Sequence, residues 1–360
     1  MMIMKKLLIL LAMILLPLMA IADDSGKCGE NVTYTFNETT KTLTISGNGE
    51  MDWFRGHGWS IKDKETPWKS YQDEILHVVI ESNVTSIGDG SFWGCSNLKT
   101  VSIPSTITKI KSAAFAECSK LEGVYLSDLE AWCNINFGPD PTTMDVSSNP
   151  LYYAHNLYLN GEKIKELVIP EGISEIKICS FCGFSEMTSL HIPNSVISIN
   201  AAAFQECKGL INLDIPNSVT LISSYAFSDC EALTTVKLSE NLKEIDSYAF
   251  QNCTSLFSVI IPNSVTTLHS AFDGCTGLTY VTLSNNLKKV SGFYGCSSLT
   301  TMILPEGVES IEPHAFYGCS NLSSITIPSS LTTIKDNAFR QCSKLKITEL
   351  SQVNIHSSSD

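Results

Sequence analysis

Residues 233–255 read LTTVKLSENLKEIDSYAFQNCTS. The apolar positions are Leu233, Val236, Leu238, Leu242, Ile245, Ala249, Phe250 and Cys253. The same set stands 23 residues earlier as Leu210, Leu213, Ile215, Val219, Leu221 or Ile222, Ala226, Phe227 and Cys230. Working outward, Phe recurs at 92, 115, 181, 204, 227, 250, 272, 293, 316 and 339. Cys follows three residues later at 95, 118, 207, 230, 253, 275, 296, 319 and 342. A fixed period of this length marks a stacked repeat array. One coil cannot bury its own apolar side, so its neighbours supply the core.

Within the unit, Val236-Lys237-Leu238 alternates and predicts a short strand. Pro or Ser ends it, at Pro104, Pro170, Pro193, Pro216, Ser239, Pro262, Ser284, Pro305 and Pro328. Proline there offers no ladder donor. Leu242 and Ile245 predict a second strand or extended turn, and Ala-Phe-x-x-Cys is expected to close the coil as one helical turn. Ten full repeats start at 75, 98, 164, 187, 210, 233, 256, 278, 299 and 322, and an eleventh begins at Leu121 and is interrupted. The coils at 256 and 278 are short, with 22 and 21 residues. Their missing residues fall between the second apolar pair and the Phe, where a surface loop tolerates deletion.

The consensus Leu-x-x-Val-x-Ile-Pro-x-Ser-Val-x-x-Ile-x-x-x-Ala-Phe-x-x-Cys resembles the BspA-like leucine-rich repeat family. Residues 256–275 and 322–342 carry it almost completely. The resemblance implies an α/β-type leucine-rich repeat solenoid. Short parallel strands would line its concave face, with short helical turns or extended segments on the convex side. It also implies adhesin-like binding to matrix or to other cells. Phe184 stands where a column Cys belongs, and Gly292 replaces the Ala before Phe293; both read as core swaps.

The chain divides into a signal peptide (1–22), a small β N-terminal cap (23–74), the solenoid (75–345) with an inserted island at about 123–163, and a C-terminal tail (346–360). Lys5 and Lys6 precede an apolar run from Leu7 to Leu18, and Ala20-Ile21-Ala22 supplies a small-x-small cleavage signal. No other apolar run approaches the ~18 residues of a membrane span. In the cap, Val32–Phe36 and Thr42–Ile45 predict a hairpin. Trp53, Trp59, Pro67 and Trp68 are expected to pack beneath it, with a carbohydrate site built from the Trp as the alternative. In the island, Ser127 and Glu130 predict a capping box ahead of a short helix with Leu129, Trp132 and Cys133. Asn160-Gly161 predicts a type I′ hairpin. The island either projects toward a partner or covers the core.

The formal charge is −13, and removal of residues 1–22 leaves 22 basic against 37 acidic residues. That balance argues against nucleic acid, which demands clustered Lys and Arg. The column thiols would point in parallel, which is poor disulfide geometry, so they read as buried free thiols. Off the column lie Cys28, Cys133, Cys179 and Cys182. The Cys179-x-x-Cys182 pair lacks the two further ligands that zinc needs. The seven His show no metal spacing, and no nucleophile elbow, P-loop or dinucleotide fingerprint occurs. The sequence therefore points to no catalytic residue, no metal and no cofactor. A convergent His/Asp/Glu cluster would favour an enzyme instead.

On each first strand, the residue between two core positions should face the open sheet. That row reads Val79, Ser102, Tyr125, Val168, His191, Asp214, Lys237, Ile260, Thr282, Ile303 and Thr326. The row two residues earlier reads His77, Thr100, Gly123, Glu166, Ser189, Asn212, Thr235, Ser258, Tyr280, Thr301 and Ser324. Core positions repeat, whereas these vary in size and charge. The residues put forward for partner contact are His191, Asp214, Lys237, Ile260 and Tyr280. The function read from the chain is non-catalytic binding of an extracellular protein or glycan by a secreted or cell-surface monomer. A structural envelope spacer is the alternative. The leader reading predicts an exported chain that starts at Asp23. Intact-mass measurement checks it, and a retained Met1 or a lipid adduct on Cys28 would refute it.

Overall fold

The computed structural model describes residues 24–54, 64–138, 144–346 and 354–355. Residues 1–22 and Trp59 lie outside the described residues. Each coil presents three hydrogen-bonded faces to the coils on either side.

The first face is the sheet that the alternating triplets predict. Strands Glu166–Val168, Ser189–His191, Asn212–Asp214, Thr235–Lys237, Ser258–Ile260 and Tyr280–Thr282 form a six-stranded parallel sheet in that order. Register follows the repeat offset, so Asp214 faces Lys237 and Ser258 faces Tyr280. A one-residue slip would carry each core residue to the solvent side. The second face is built from two-residue strands. Glu175–Ile176, Ser198–Ile199, Leu221–Ile222 and Glu244–Ile245 pair in parallel, with each Ile buried. Proline ends most first strands. Where Ser replaces it, the Ser239 Oγ accepts from Asn241 N at 3.2 Å and the Ser284 Oγ from Asn286 N at 3.1 Å. Each hydroxyl closes the turn that the ring would otherwise set.

The third face departs from the expected helical turn and takes the extended alternative. The residue two after each Phe adopts the left-handed conformation, and so does the residue two before it outside the short coils of Phe272 and Phe293, as with Ala202 and Glu206 (φ 53° and 58°) around Phe204. The coil therefore closes through two consecutive turns. The reason lies in the backbone donors. The N–H groups of Ala202, Phe204 and Glu206 bond the carbonyls of Ser224, Ala226 and Ser228 in the next coil at 3.0, 2.8 and 2.8 Å. A helix would consume those donors internally and leave this face of the stack unpaired.

Phe side chains fill the core behind these turns. From Phe181 to Phe339 the rings stack coil upon coil, with interplanar angles between 3° and 9°. Their centroids stand 5.2–5.7 Å apart except for Phe272–Phe293, at 6.1 Å. That widest step lies between the two shortened coils. The column thiols bond along the same axis. Cys230 Sγ donates to Phe204 O at 3.4 Å, Cys253 to Phe227 at 3.3 Å and Cys275 to Phe250 at 3.1 Å. The carbonyls of Phe204 and Phe250 also accept the N–H of the Cys three residues on, Cys207 and Cys253, and so use both lone pairs. All thirteen cysteines are free thiols and buried.

Two tryptophans stand just before the two runs of Phe. Trp68 stacks on Phe92 at 5.8 Å, and its indole N–H donates to Ser91 O at 3.1 Å. Trp132 donates in the same manner to Ser180 O, one residue before Phe181, at 3.0 Å. The strands of the cap precede Trp68. Strands Asp24–Lys27, Val32–Asn37 and Thr42–Gly47 form an antiparallel meander, and the last pairs in parallel with His77–Ile80. The expected hairpin is present. Trp53 does not pack beneath it and is 75% exposed.

Residues of the island take part in the stack. Gly123–Leu126 extends the first face, Asn136–Phe137 pairs with Lys109–Ile110 on the second, and Ser147 O accepts Phe115 N at 3.2 Å on the third. The helix Leu129–Cys133 is capped by Asp128, whose carboxylate accepts from Ala131 N, and not by the expected Ser127. Asn160 and Gly161 take φ of 51° and 83° between the antiparallel pair Leu157–Leu159 and Glu162–Lys163, as the type I′ signal requires. Buried Asn149 donates to the carbonyls of Cys179 and Ser180 at 2.7 and 3.1 Å. Together with Trp132, it ties the island to the coils that follow.

Gly292 is more than a core swap. It has φ 91°, and a Cβ there would stand 2.2 Å from the His269 carbonyl oxygen. Only glycine lets the short coil approach that closely.

Phe250 lies between Phe227 and Phe272, 5.4 Å from each, and is fully buried. Phe250→Ala should destabilise the array by about 3–5 kcal/mol, the usual cost of a buried Phe cavity. Chemical denaturation checks this, and an unchanged midpoint would remove Phe250 from the core.

Candidate binding face

The open side of the first sheet collects the variable rows. All five residues put forward from sequence are exposed on it. Ile260 and Tyr280 are 66% and 53% exposed, far more than a soluble surface requires of large apolar side chains. Asp214 and Lys237 face each other in register and form an ion pair at 3.2 Å. Both are mostly solvated, so the pair adds little to stability and remains open to exchange for a partner's charges. Asn212 Oδ1 accepts from Thr235 Oγ1 at 2.6 Å in the row beside them.

The chemistry of the face changes along the stack. Near the cap, His77 bonds Thr100 Oγ1 through Nδ1 at 2.7 Å, and burial followed by the nearby Lys99 lowers its pKa. Tyr125 and Tyr158 stack at 4.5 Å with their planes 7° apart. Gly123 makes room for them, because a Cβ there would come within 3.0 Å of Tyr158. Glu166, His191, Asp214 and Lys237 make the middle charged and polar. Beyond them the outward rows carry exposed Ile260, Tyr280 and Ile303, and Phe257 is exposed one residue before its strand. Ile303 stands in the first of the two variable rows outside the five residues put forward, and Phe257 stands in neither row. Phe257 sits one residue before its strand, at a position held elsewhere by Thr188, Ile211, Thr234 and Thr279. Alignment of that third row would have shown it.

The second face carries a convergent Glu/Asp/His cluster, the feature that would favour an enzyme, at a position the histidine spacings did not signal; two of its three residues are exposed. Glu244, Asp246 and His269 each offer a ligand atom, and these atoms lie within 4.8 Å of one another. Asp246 and His269 are separated by one 23-residue repeat. The signal is a row beside the second strand, where Asp246 and His269 take the same place in consecutive coils.

The cysteines are arranged for packing. Burial pushes Cys28, Cys95 and Cys133 up to about 12 and moves Cys207, Cys253 and Cys296 well above the ordinary thiol value. Cys342, in the last coil, rises to about 11 for the same reason. Cys179 and Cys182 are both fully buried. Among the described residues, no helix is long and apolar enough to cross a membrane.

The model of the BspA type leucine rich repeat region matches the chain in six copies, over residues 70–136, 154–271 and 268–359. Two solved structures are similar over nearly their whole length. A leucine-rich repeat protein from Eubacterium ventriosum is 23% identical, with a TM-score of 0.58, and the match covers 94% of this chain and 95% of that one. A leucine rich cell surface protein from Faecalibacterium prausnitzii is 26% identical, with a TM-score of 0.50 and the same coverage of both chains. No curated protein matches the chain.

Thiolates react and thiols do not, so buried thiols with raised pKa should be inert. Alkylation of the native chain should label few of the nine column cysteines, and denaturant should expose the rest. Rapid native labelling of Cys230 or Cys253 would count against this packing.

Proposed function

The chain belongs to the BspA-type leucine-rich repeat family, and from that premise we propose that it is a non-catalytic binding protein of the cell surface or exterior. It holds an extracellular protein or glycan on the open face of its first sheet. The observation that carries the reading is the run of exposed large apolar side chains, Phe257, Ile260, Tyr280 and Ile303, beside the charged stretch of Asp214 and Lys237. An exposed apolar patch with a polar margin marks an interaction site. Aromatic anchors with charged neighbours are also the composition of interface centres. The rows hold these residues about 4.8 Å apart along the stack, so several coils together can cover the ~800 Å² that one partner contributes to a standard interface. The acidic charge of the chain and the cell-surface relative agree with an external location.

The test is an array of immobilised glycans and extracellular-matrix proteins. Its best ligand is then titrated against a combined Asp214→Ala, Lys237→Ala, Tyr280→Ala variant. None of the three side chains fills the core, so the denaturation midpoint should not move. Affinity should fall at least about tenfold, as for the loss of an interface anchor worth about 1.4 kcal/mol or more. Unchanged affinity, with binding lost instead in Trp53→Ala, would move the site to the cap. A wild-type chain that binds nothing on the array would support the spacer reading.

A further inference from the structure

We infer that Glu244, Asp246 and His269 form a divalent-metal site of the zinc class on the second face of the solenoid. The placement follows from the strand geometry. Glu244 and Asp246 flank buried Ile245, so both side chains project outward on one side of the chain. Ile245 bridges Leu268 of the next coil in parallel, which brings His269 alongside Asp246. One oxygen from each carboxylate and one imidazole nitrogen thus lie within 4.8 Å of each other.

The cluster has no partners of its own. Among the described residues, no hydrogen bond or ion pair joins these three side chains to each other or to any neighbour. Two carboxylates this close repel, and a cation between them removes the repulsion. Elsewhere in the same row the protein supplies that cation itself. Glu312 and Lys335 occupy the equivalent places three coils on, and they close as an ion pair at 2.6 Å. At 246 and 269 the ammonium is replaced by an imidazole, which when neutral offers a lone pair to a metal.

The main chain around the histidine is held in place. The one-residue shortening of its coil makes the His269 carbonyl accept Ala271 N at 2.5 Å, and Gly292 of the following coil packs against that same oxygen. Asp246 N is bonded to Ile222 O at 2.9 Å. Ligands set on a fixed backbone lose little freedom when a metal binds.

One imidazole with two carboxylates is a nitrogen–oxygen set that suits Zn²⁺ in its open class of site, where three protein ligands leave a fourth position to water, unlike the closed four-ligand structural class. Calcium asks for about six to eight oxygens and is a poor match. Glu244 and His269 are exposed, so the fourth position faces solvent and is open to water or to a partner's side chain. The site lies on the second face and stands independently of the proposed binding face.

The experiment is calorimetric titration of the full, untagged chain, first stripped with a chelator and kept under a non-thiol reductant. The probes are ZnCl₂ and, separately, CaCl₂. The expected result is one zinc per chain and no comparable calcium binding. His269→Ala, and the pair Glu244→Gln with Asp246→Asn, should each weaken zinc at least about tenfold. Because all three residues lie at the surface, the variants should fold. His269→Lys is a second safeguard: it copies the Glu312–Lys335 pair, so it should keep or raise the denaturation midpoint while abolishing zinc binding. No zinc binding by the wild-type chain, or equal binding by His269→Ala and His269→Lys, would overturn the assignment.

Discussion

The stacking of one coil's Phe on the next is the contact on which the rest of this structure depends. Rings 5.2–5.7 Å apart and nearly parallel fix both the distance and the rotation between most coils from Phe181 onward. The Cys thiol secures the same step by donating to the preceding Phe carbonyl, as Cys253 does to Phe227. That bond gives the column a chemical reason. Ala or Val at Cys253 would fill the space, but neither would donate to the carbonyl. The thiol must stay reduced to donate, and burial keeps it so. The period follows as well. A coil can lose residues only where the loss leaves the rungs in line, and both short coils lose theirs in the turn before the Phe.

Most of this was legible because a repeat states each rule many times. The Phe and Cys columns, the strand triplets and the register of the surface rows could all be read by laying one repeat over the next. Signals that occur once or twice were harder. Trp68 and Trp132 both stand at the start of a Phe run, but they lie outside the periodic spacing and their equivalence appears only through Ser91 and Ser180. The paired left-handed turns were written in the sequence as Gly94, Asp229, Asn252, Gly274 and Gly318, each two residues after its Phe. Those residue types favour positive φ. The Ala-Phe pair drew attention to helical propensity instead, and the demand of the next coil for backbone donors overrode it. Gly292 was illegible for another reason. Its partner, the His269 carbonyl, is a backbone atom one coil away.

A solenoid separates what folds from what binds. Core rungs are shared between neighbours and resist change, while the exposed positions of each strand contribute little to the stack. The charged middle of the first sheet illustrates this. Asp214 and Lys237 satisfy each other across two coils yet remain largely in water. The candidate site could therefore be placed from sequence only as rows. Which residues in a row matter depends on exposure and on neighbours in adjacent coils, and neither is set by local pattern. Trp53 makes the same point at the cap, where an aromatic that composition assigns to packing stands in solvent.

Apart from the island, the strongest departures from the repeat fall in one place. The coils starting at 256 and 278 are the short ones. The Phe spacing widens between them to 6.1 Å. The second sheet thins there to the single bridge between Ile245 and Leu268, and the six-stranded first sheet ends at Tyr280–Thr282. The exposed apolar residues Phe257, Ile260, Tyr280 and Ile303 border this region on one face, and Glu244, Asp246 and His269 gather on another. A stack selected for length alone gains nothing from such an interruption, since each irregular step gives up ring contact and ladder bonds. Shortening a coil changes how neighbouring coils meet, and so re-aims the side chains on both faces together. In a protein otherwise built by repetition, that stretch is where chemistry differs most from the scaffold that carries it.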